Sequence, residues 1–239
     1  MDTKFEAKHS KHPPAKILVA SDLDNTLIYS RRRLPPGDVI CVEHYEGREQ
    51  SFMTVTTVNL LREVASRAVF VPVTTRSLAQ YERIVWPEGL TPSSALVANG
   101  ALLIRDGELD RAWQEETRQI IAPYRSALNE LHAALSARFP TLTCRLVDDS
   151  FVFLAAPDET EAQSIAAELD YHAPLTFARS GRKLYFFPPQ LDKGTALVRL
   201  QRRILPALTF AAGDNSIDAP MLRVADWALM PQGASGFLC

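Results

Sequence analysis

The stretch KILVASDLDNTLIYS, residues 16–30, decides how the chain is read, because a short apolar run ends directly in two carboxylates, Asp22 and Asp24. A run of that length and flanking has the pattern of a buried strand. Unpaired buried charge is costly, so acids at the end of such a strand should be holding a cation.

Outward from this strand the pattern alternates. TTVNLLREVASR (56–67) spaces Val58, Leu61, Val64 and Ala65 as one helix face, with Thr56 or Thr57 as N-cap. AVFVPVTT (68–75) reads as a strand, LAQYERIVW (78–86) as a helix closed by Pro87, and SALVANGALLI (94–104) as a third strand turning at Asn99–Gly100, with RDGE (105–108) as a hairpin tip. Strands alternating with helices mean parallel crossover units, hence an open α/β sheet. The pattern then changes. A long amphipathic helix (115–139), two strands across Asp148–Asp149, a second helix (ETEAQSIAAELDYH) and a second strand pair (PLTFARS, RKLYFF) make an αββαββ unit with its own sheet. The α/β pattern resumes with helix 194–204, strand 207–214, helix 218–225 and strand 227–231. The expected division is a flexible tail at 1–15, a core at 16–108 and 187–239, and an inserted α+β lobe at 109–186.

Composition narrows the function classes. With 46% hydrophobic and 23% charged residues the chain is an ordinary globular one, and a net charge of −2 leaves no broad electrostatic footprint for nucleic acid. Cys41, Cys144 and Cys239 are far apart and form no CxxC pair, which suggests neither a disulfide framework nor a zinc site and fits a cytoplasmic protein. No apolar run approaches the length of a membrane span, and the N-terminus lacks an apolar signal region. His9 and His12 in the tail offer metal ligands only in principle, and the tail is read as solvated.

In open α/β sheets, ligands gather at the carboxyl ends of the strands. Here those ends carry Asp22, Asp24 and Thr26; Thr74, Thr75, Arg76 and Ser77; and Gly213, Asp214, Asn215 and Asp218, with Lys193 entering where the chain returns to the core. This constellation resembles the haloacid dehalogenase (HAD) superfamily from Lys16 to Pro231. DLDNT matches its first motif (DxDxT), VTTR its second, DKGTAL its lysine motif and GDNSIDAPML its fourth (usually GDxxND). Four motifs in order are a specific signal, whereas DxDxT alone is weak. The αββαββ insert looks like the type IIB (C2B) cap of the Cof-like, sucrose-phosphate phosphatase-like and mannosyl-3-phosphoglycerate phosphatase-like branches.

The resemblance implies a Rossmann-like parallel-sheet core with an inserted cap, and a Mg²⁺-dependent phosphatase acting on a small phosphorylated metabolite, a sugar phosphate or sugar-phosphoglycerate, with no nucleic-acid or membrane partner. Asp22 would be the nucleophile that forms an aspartyl-phosphate, and Asp24 the general acid and base. Mg²⁺ would be held by Asp22, the carbonyl of Asp24 and Asp214, with Asp218 and Asn215 behind these ligands or acting through water. Thr74, Lys193 and Arg76 would bind the phosphoryl oxygens. Arg179, Ser180, Arg182 and Asn99 are the candidates for substrate specificity.

Three positions depart from the pattern: Asn25 where glycine is commonest, Thr75 within the usual TGR, and Ile217 where Asn precedes the last Asp. The chain also ends soon after WALMPQG, with little of the C-terminal helix many relatives carry. Residues 31–55 are longer than usual there, and VICVEHY and QSFMTV about Glu46–Gly47 read as a β-hairpin flap. The run Arg31–Arg33 could reach an anionic substrate but is read as solvated, His44 as a flap residue rather than a ligand, and Trp86, Trp113 and Trp227 as packing. The alternatives are a phosphomutase of the phosphomannomutase type, which shares motifs and cap, and a silent binding module, against which stand the intact Asp22, Asp24, Lys193 and Asp214.

Overall fold

A computed structural model describes residues 17–169, 171 and 174–231. The expected tail with His9 and His12, the end of the cap helix at Asp170 and His172, and Cys239 lie outside the described residues.

The chain begins with β1 (Ile17–Ser21), followed by β2 (Tyr29–Ser30), the hairpin β3 (Val39–Tyr45) and β4 (Arg48–Thr54), α1 (Val55–Ala65), β5 (Val69–Pro72), α2 (Leu78–Tyr81), β6 (Ser94–Val97), β7 (Leu102–Arg105) and β8 (Glu108–Leu109). Then come α3 (Arg111–Ile121), α4 (Arg125–Arg138), β9 (Thr143–Val147), β10 (Phe151–Ala155), α5 (Glu159–Leu169), β11 (Thr176–Ser180) and β12 (Lys183–Phe187). The last elements are α6 (Lys193–Ile204), β13 (Leu208–Ala212), α7 (Ala219–Val224) and β14 (Trp227–Leu229).

The central sheet is parallel in the order β14-β13-β1-β5, and a parallel bridge from Val73 to Leu96 carries it on to β6. The chain leaves β1 toward β5 and returns on the other side as β13, so the order reverses beside β1. That is the topological switch point, where an open crevice forms past the strand ends. Alternation along the strands builds one core on each face. Leu18, Ala20, Val71 and Leu96 pack with Trp113, Leu197, Leu200 and Met221 on one side, while Phe70, Ala95 and Val97 pack with Val42, Met53, Val58 and Leu61 on the other.

The second sheet, β11-β12-β10-β9, is antiparallel throughout. Val152, Leu154, Leu184 and Phe186 are fully buried in its apolar cluster. This lobe touches the core beside the strand ends: Asp148 Oδ2, in the β9–β10 turn, accepts from the backbone N–H of Leu78 at 2.9 Å. Among the described residues no helix is long and apolar enough to cross a membrane.

Several sequence expectations change in detail. The N-cap of α1 is Thr54, whose hydroxyl accepts from Thr57 N, and Ala65, the last residue of the helix, is exposed. The expected helix 78–86 is a four-residue turn capped by Ser77 and Gln80, after which Val85 N bonds to the carbonyl of Val42 in the flap. The single long helix expected at 115–139 is two, because Pro123 supplies no N–H and the chain passes through a 3₁₀ turn at Ala122–Tyr124. Trp113 is fully buried as expected, but Trp227 is 60% exposed, lying on the edge strand β14.

Candidate active site

Each strand end delivers its side chains for a local reason. After β1 the backbone N–H of Asp22 still bonds to Ala212 O of β13 at 2.8 Å, which fixes Asp22 at the mouth of the crevice. The chain then turns through Asn25 at φ 63°, a left-handed conformation that asparagine tolerates where larger residues do not, so the departure from glycine keeps the same turn. After β13, Gly213 leads into Asp214, and Asp218 folds back so that its Oδ2 accepts from Asp214 N at 3.0 Å and Asn215 N at 3.1 Å. Lys193 is the first residue of α6, set there by Asp192, whose Oδ1 caps Gly194 N and Thr195 N.

These ends meet at Lys193. Its Nζ donates to Asp22 Oδ1 and to Asp218 Oδ1, both at 2.5 Å, and Lys193, Asp22 and Asp218 are 1%, 4% and 0% exposed. Asp22, Asp214 and Asp218 each offer a carboxylate oxygen, and these lie within 4.8 Å of one another. Burial pushes Asp22 up to about 7, Lys193 opposing and the carboxylates of Asp218 and Asp24 adding to the rise. Burial also raises Asp214, the Asp218 carboxylate adding to the rise and the bond from Asn215 Nδ2 opposing it. Two buried carboxylates held above their ordinary range would be relieved by a cation beside them. An all-oxygen set of this kind suits a hard divalent cation such as Mg²⁺, with Asp22 and Asp214 free to reach it. Asp218 has both oxygens engaged, which would put it behind any direct ligands, and Asn215 braces Asp214 through a 2.7 Å bond.

Asp24 lives in a different field. Burial would raise it, but Arg76 outweighs that, with Lys183 and Lys193 adding to the effect, and its carboxyl lies below the usual range. Arg76 forks onto it, Nε to Oδ2 and Nη2 to Oδ1, each at 2.9 Å. The sequence expectation that Arg76 binds phosphate is therefore corrected: its three nitrogens are directed at Asp24, Glu43, Ser51 and Gln80. Thr74 is fully buried, and its Oγ1 accepts from Arg76 N at 3.1 Å, which leaves the hydroxyl proton to donate.

The four specificity candidates differ in their surroundings. Arg179 bonds to Glu159 and to Gly181 O, and Arg182 to Ala156 O, all within the cap. Ser180 pairs with Lys183 across the hairpin and so shares its face. Asn99 is 1% exposed, and its Nδ2 holds Leu191 O at 2.9 Å, tying the returning chain to the turn after β6; its Oδ1 accepts no bond among the described residues. The cap residues whose fields act at the strand ends are Lys183, whose charge lowers Asp24, and Tyr185, whose phenol is raised by burial and by the Asp24 carboxylate. They lie two apart on β12, a signal that was available in the alternation of RKLYFF. Ile217 is buried in the apolar cluster that also holds Ala98 of the core and Phe151, Tyr185 and Phe187 of the cap, so an apolar residue suits that position. Arg31–Arg33 form an exposed turn in which Arg31 pairs with Glu49, and His44 is exposed on the flap beside Cys41.

No protein-family model matches the sequence, and no curated protein does. Solved structures do. The sucrose-phosphatase of Synechocystis, in complex with sucrose and phosphate, superposes with a TM-score of 0.58 at 17% identity, over 92% of this chain and 84% of that one. A haloacid dehalogenase-like hydrolase from B. subtilis gives 0.52 at 16%, over 89% and 94%. A trehalose-6-phosphate phosphatase related protein gives 0.50 at 16%, over 92% and 89%. With the parallel core, the antiparallel cap and near-complete coverage in both directions, the chain has the fold of the haloacid dehalogenase-like hydrolases.

Proposed function

We propose that the protein is a Mg²⁺-dependent phosphatase that hydrolyses a small phosphorylated metabolite of the sugar phosphate or sugar-phosphoglycerate type, with residues 109–186 as its lid. The observation that carries the reading is Asp22: a buried carboxylate with one oxygen held by Lys193 and the other, Oδ2, bonded among the described residues only by Thr26, at 3.4 Å. Fold alone would not license a reaction, so the argument rests on this geometry. Structural neighbours whose names include sucrose-phosphatase and trehalose-6-phosphate phosphatase related protein support the substrate class.

In this reading Asp22 Oδ2 attacks phosphorus, the bond from phosphorus to the ester oxygen breaks, and that oxygen leaves with a proton from Asp24. A water then attacks the aspartyl-phosphate and gives its proton to Asp24, releasing inorganic phosphate and restoring Asp22. Arg76 holds Asp24 ionised at rest. In this reading Asp24 therefore takes up the proton it delivers from solvent as the anionic phosphoryl group enters beside it and raises its proton affinity, and the ion pair is the form in which it then takes the water's proton. Lys193 steers one oxygen of Asp22 away from the attack, and Thr74 donates to a phosphoryl oxygen. A bound Mg²⁺ would supply charge neutralisation between the nucleophile and the phosphoryl group.

The test is phosphate release from a panel of sugar phosphates, phosphoglycerate conjugates and nucleotides, with Mg²⁺ and with chelator. Metal-dependent release from a few members is the expected result. Asp22→Asn should abolish it, by a factor of about 10³ or more, with an unchanged melting curve. Transfer of phosphate between positions on a sugar would favour the mutase instead.

A further inference from the structure

Glu43 lies outside the four motifs that carry the resemblance. It belongs to the flap strand β3, and at 1% exposure it is as deeply buried as Lys193. A β-bulge puts it there: the register of β3 against β4 shifts between Cys41 and Glu43 and again between Glu43 and His44, so both Val42 and Glu43 turn inward. Its Oε2 accepts from Arg76 Nη1 at 2.8 Å and Ser51 Oγ at 2.6 Å, and its Oε1 accepts from Arg83 Nε at 3.0 Å. Arg76 is thus clamped along two edges, Glu43 on one and Asp24 on the other, in a chain Arg83–Glu43–Arg76–Asp24 of alternating charge.

A guanidinium is a rigid plane, so fixing one edge fixes the direction in which the other edge presents its fork. We propose that Glu43 is a positioning residue of the reaction: by anchoring Arg76 from the flap, it sets the orientation of the Asp24 carboxyl toward the leaving oxygen. The flap's contribution to catalysis is this anchor. The inference rests on the phosphatase reading of Asp22 and Asp24. A carboxyl out of line by even a small angle loses proton transfer while the nucleophile and metal ligands stay where they are.

That difference can be measured. An ester with a poor leaving group, such as the best sugar phosphate from the panel, needs the proton from Asp24; p-nitrophenyl phosphate, whose p-nitrophenolate leaves unaided, does not. Glu43→Gln keeps the shape of the side chain and should lower kcat/KM, which reports only the steps up to formation of the aspartyl-phosphate, about 10- to 100-fold on the sugar phosphate, while kcat/KM on p-nitrophenyl phosphate changes less than about 3-fold. A merely structural role would lower both together, and equal losses, or none, overturn the proposal. Should Glu43→Gln fail to fold, Ser51→Ala, which removes a bond to both Glu43 and Arg76, should show the same selectivity at smaller amplitude; an equal effect on both esters would again overturn it. Wild-type protein releasing phosphate from neither ester would instead overturn the phosphatase reading itself, so the two failures are told apart by the control.

Discussion

Gly213 occupies a position where a methyl group does not fit. A Cβ there would lie 2.4 Å from Asp218 Cβ and 2.7 Å from its Cγ. Asp218 in turn holds Lys193 and the backbone of Asp214 and Asn215, so pushing it aside disturbs the partner of Asp22, the proposed nucleophile, and Asp214, a proposed metal ligand, at once. Gly213→Ala should cost about 1–3 kcal/mol of stability as an overpacked site and lower phosphatase activity at least about 10-fold. Denaturant unfolding alongside phosphate release checks this, and a variant with both properties unchanged would refute the tight approach. The acids and the lysine were legible in the sequence because each sits where a strand ends or a helix begins. Glu43 was not. Its partners Arg76 and Arg83 are 33 and 40 residues away, and no local period reveals that a bulge has turned a flap acid inward. Arg76 was misassigned for the same reason: a strand-end arginine near a phosphate site looks free until the carboxylates that occupy it are placed in space.

At the scale of elements, α3 shows how the core and the start of the cap are joined. Trp113, fully buried, donates from Nε1 to Gly100 O at 3.0 Å and is covered by the guanidinium of Arg199, 3.8 Å above its ring. Asp110 caps the helix by accepting from Trp113 N at 2.8 Å and pairs with Arg203. Burial alone would raise this carboxyl, but the Trp113 N–H, Arg203 and Arg105 together bring it below the ordinary aspartate value of 3.8. A folded-state value below the unfolded one contributes stability that is present above pH 3.8 and lost as pH falls through the folded value. Asp110→Ala should therefore destabilise the protein by about 1–2 kcal/mol near neutral pH. The gap between variant and wild type in thermal melts should hold from neutral pH down to mild acid and close below 3.8; a gap independent of pH would show that the carboxylate charge plays no part. Elements such as β1, β5 and α6 were readable because a buried face imposes its period on the sequence. The short α2 and the break at Pro123 were not, since apolar spacing continues through Tyr81–Trp86 and through Ile121–Leu128 while the hydrogen bonding changes beneath it.

For the whole molecule, the crevice at the switch point gathers three acids around one lysine, from parts of the chain as far apart as Asp22 and Asp218. Folding this set without a metal opposes its own burial, which is why Asp22 is pushed up to about 7 and Asp214 is raised as well. A divalent cation relieves that opposition in the folded state only, because the unfolded chain does not hold the acids together. Mg²⁺ at 100 times its dissociation constant should then stabilise the fold by about 2.7 kcal/mol. For a chain of this size that corresponds to a rise in Tm of roughly 5–10 °C, reversed by chelator. Asp214→Asn removes a ligand whose side chain is only partly buried, so the variant should fold yet lose most of the rise. The same rise in Asp214→Asn as in wild type would place the cation elsewhere on the protein, and no rise in wild type would mean that Lys193 alone balances the cluster. The measurement needs no substrate, so it tests the metal site independently of what the enzyme hydrolyses.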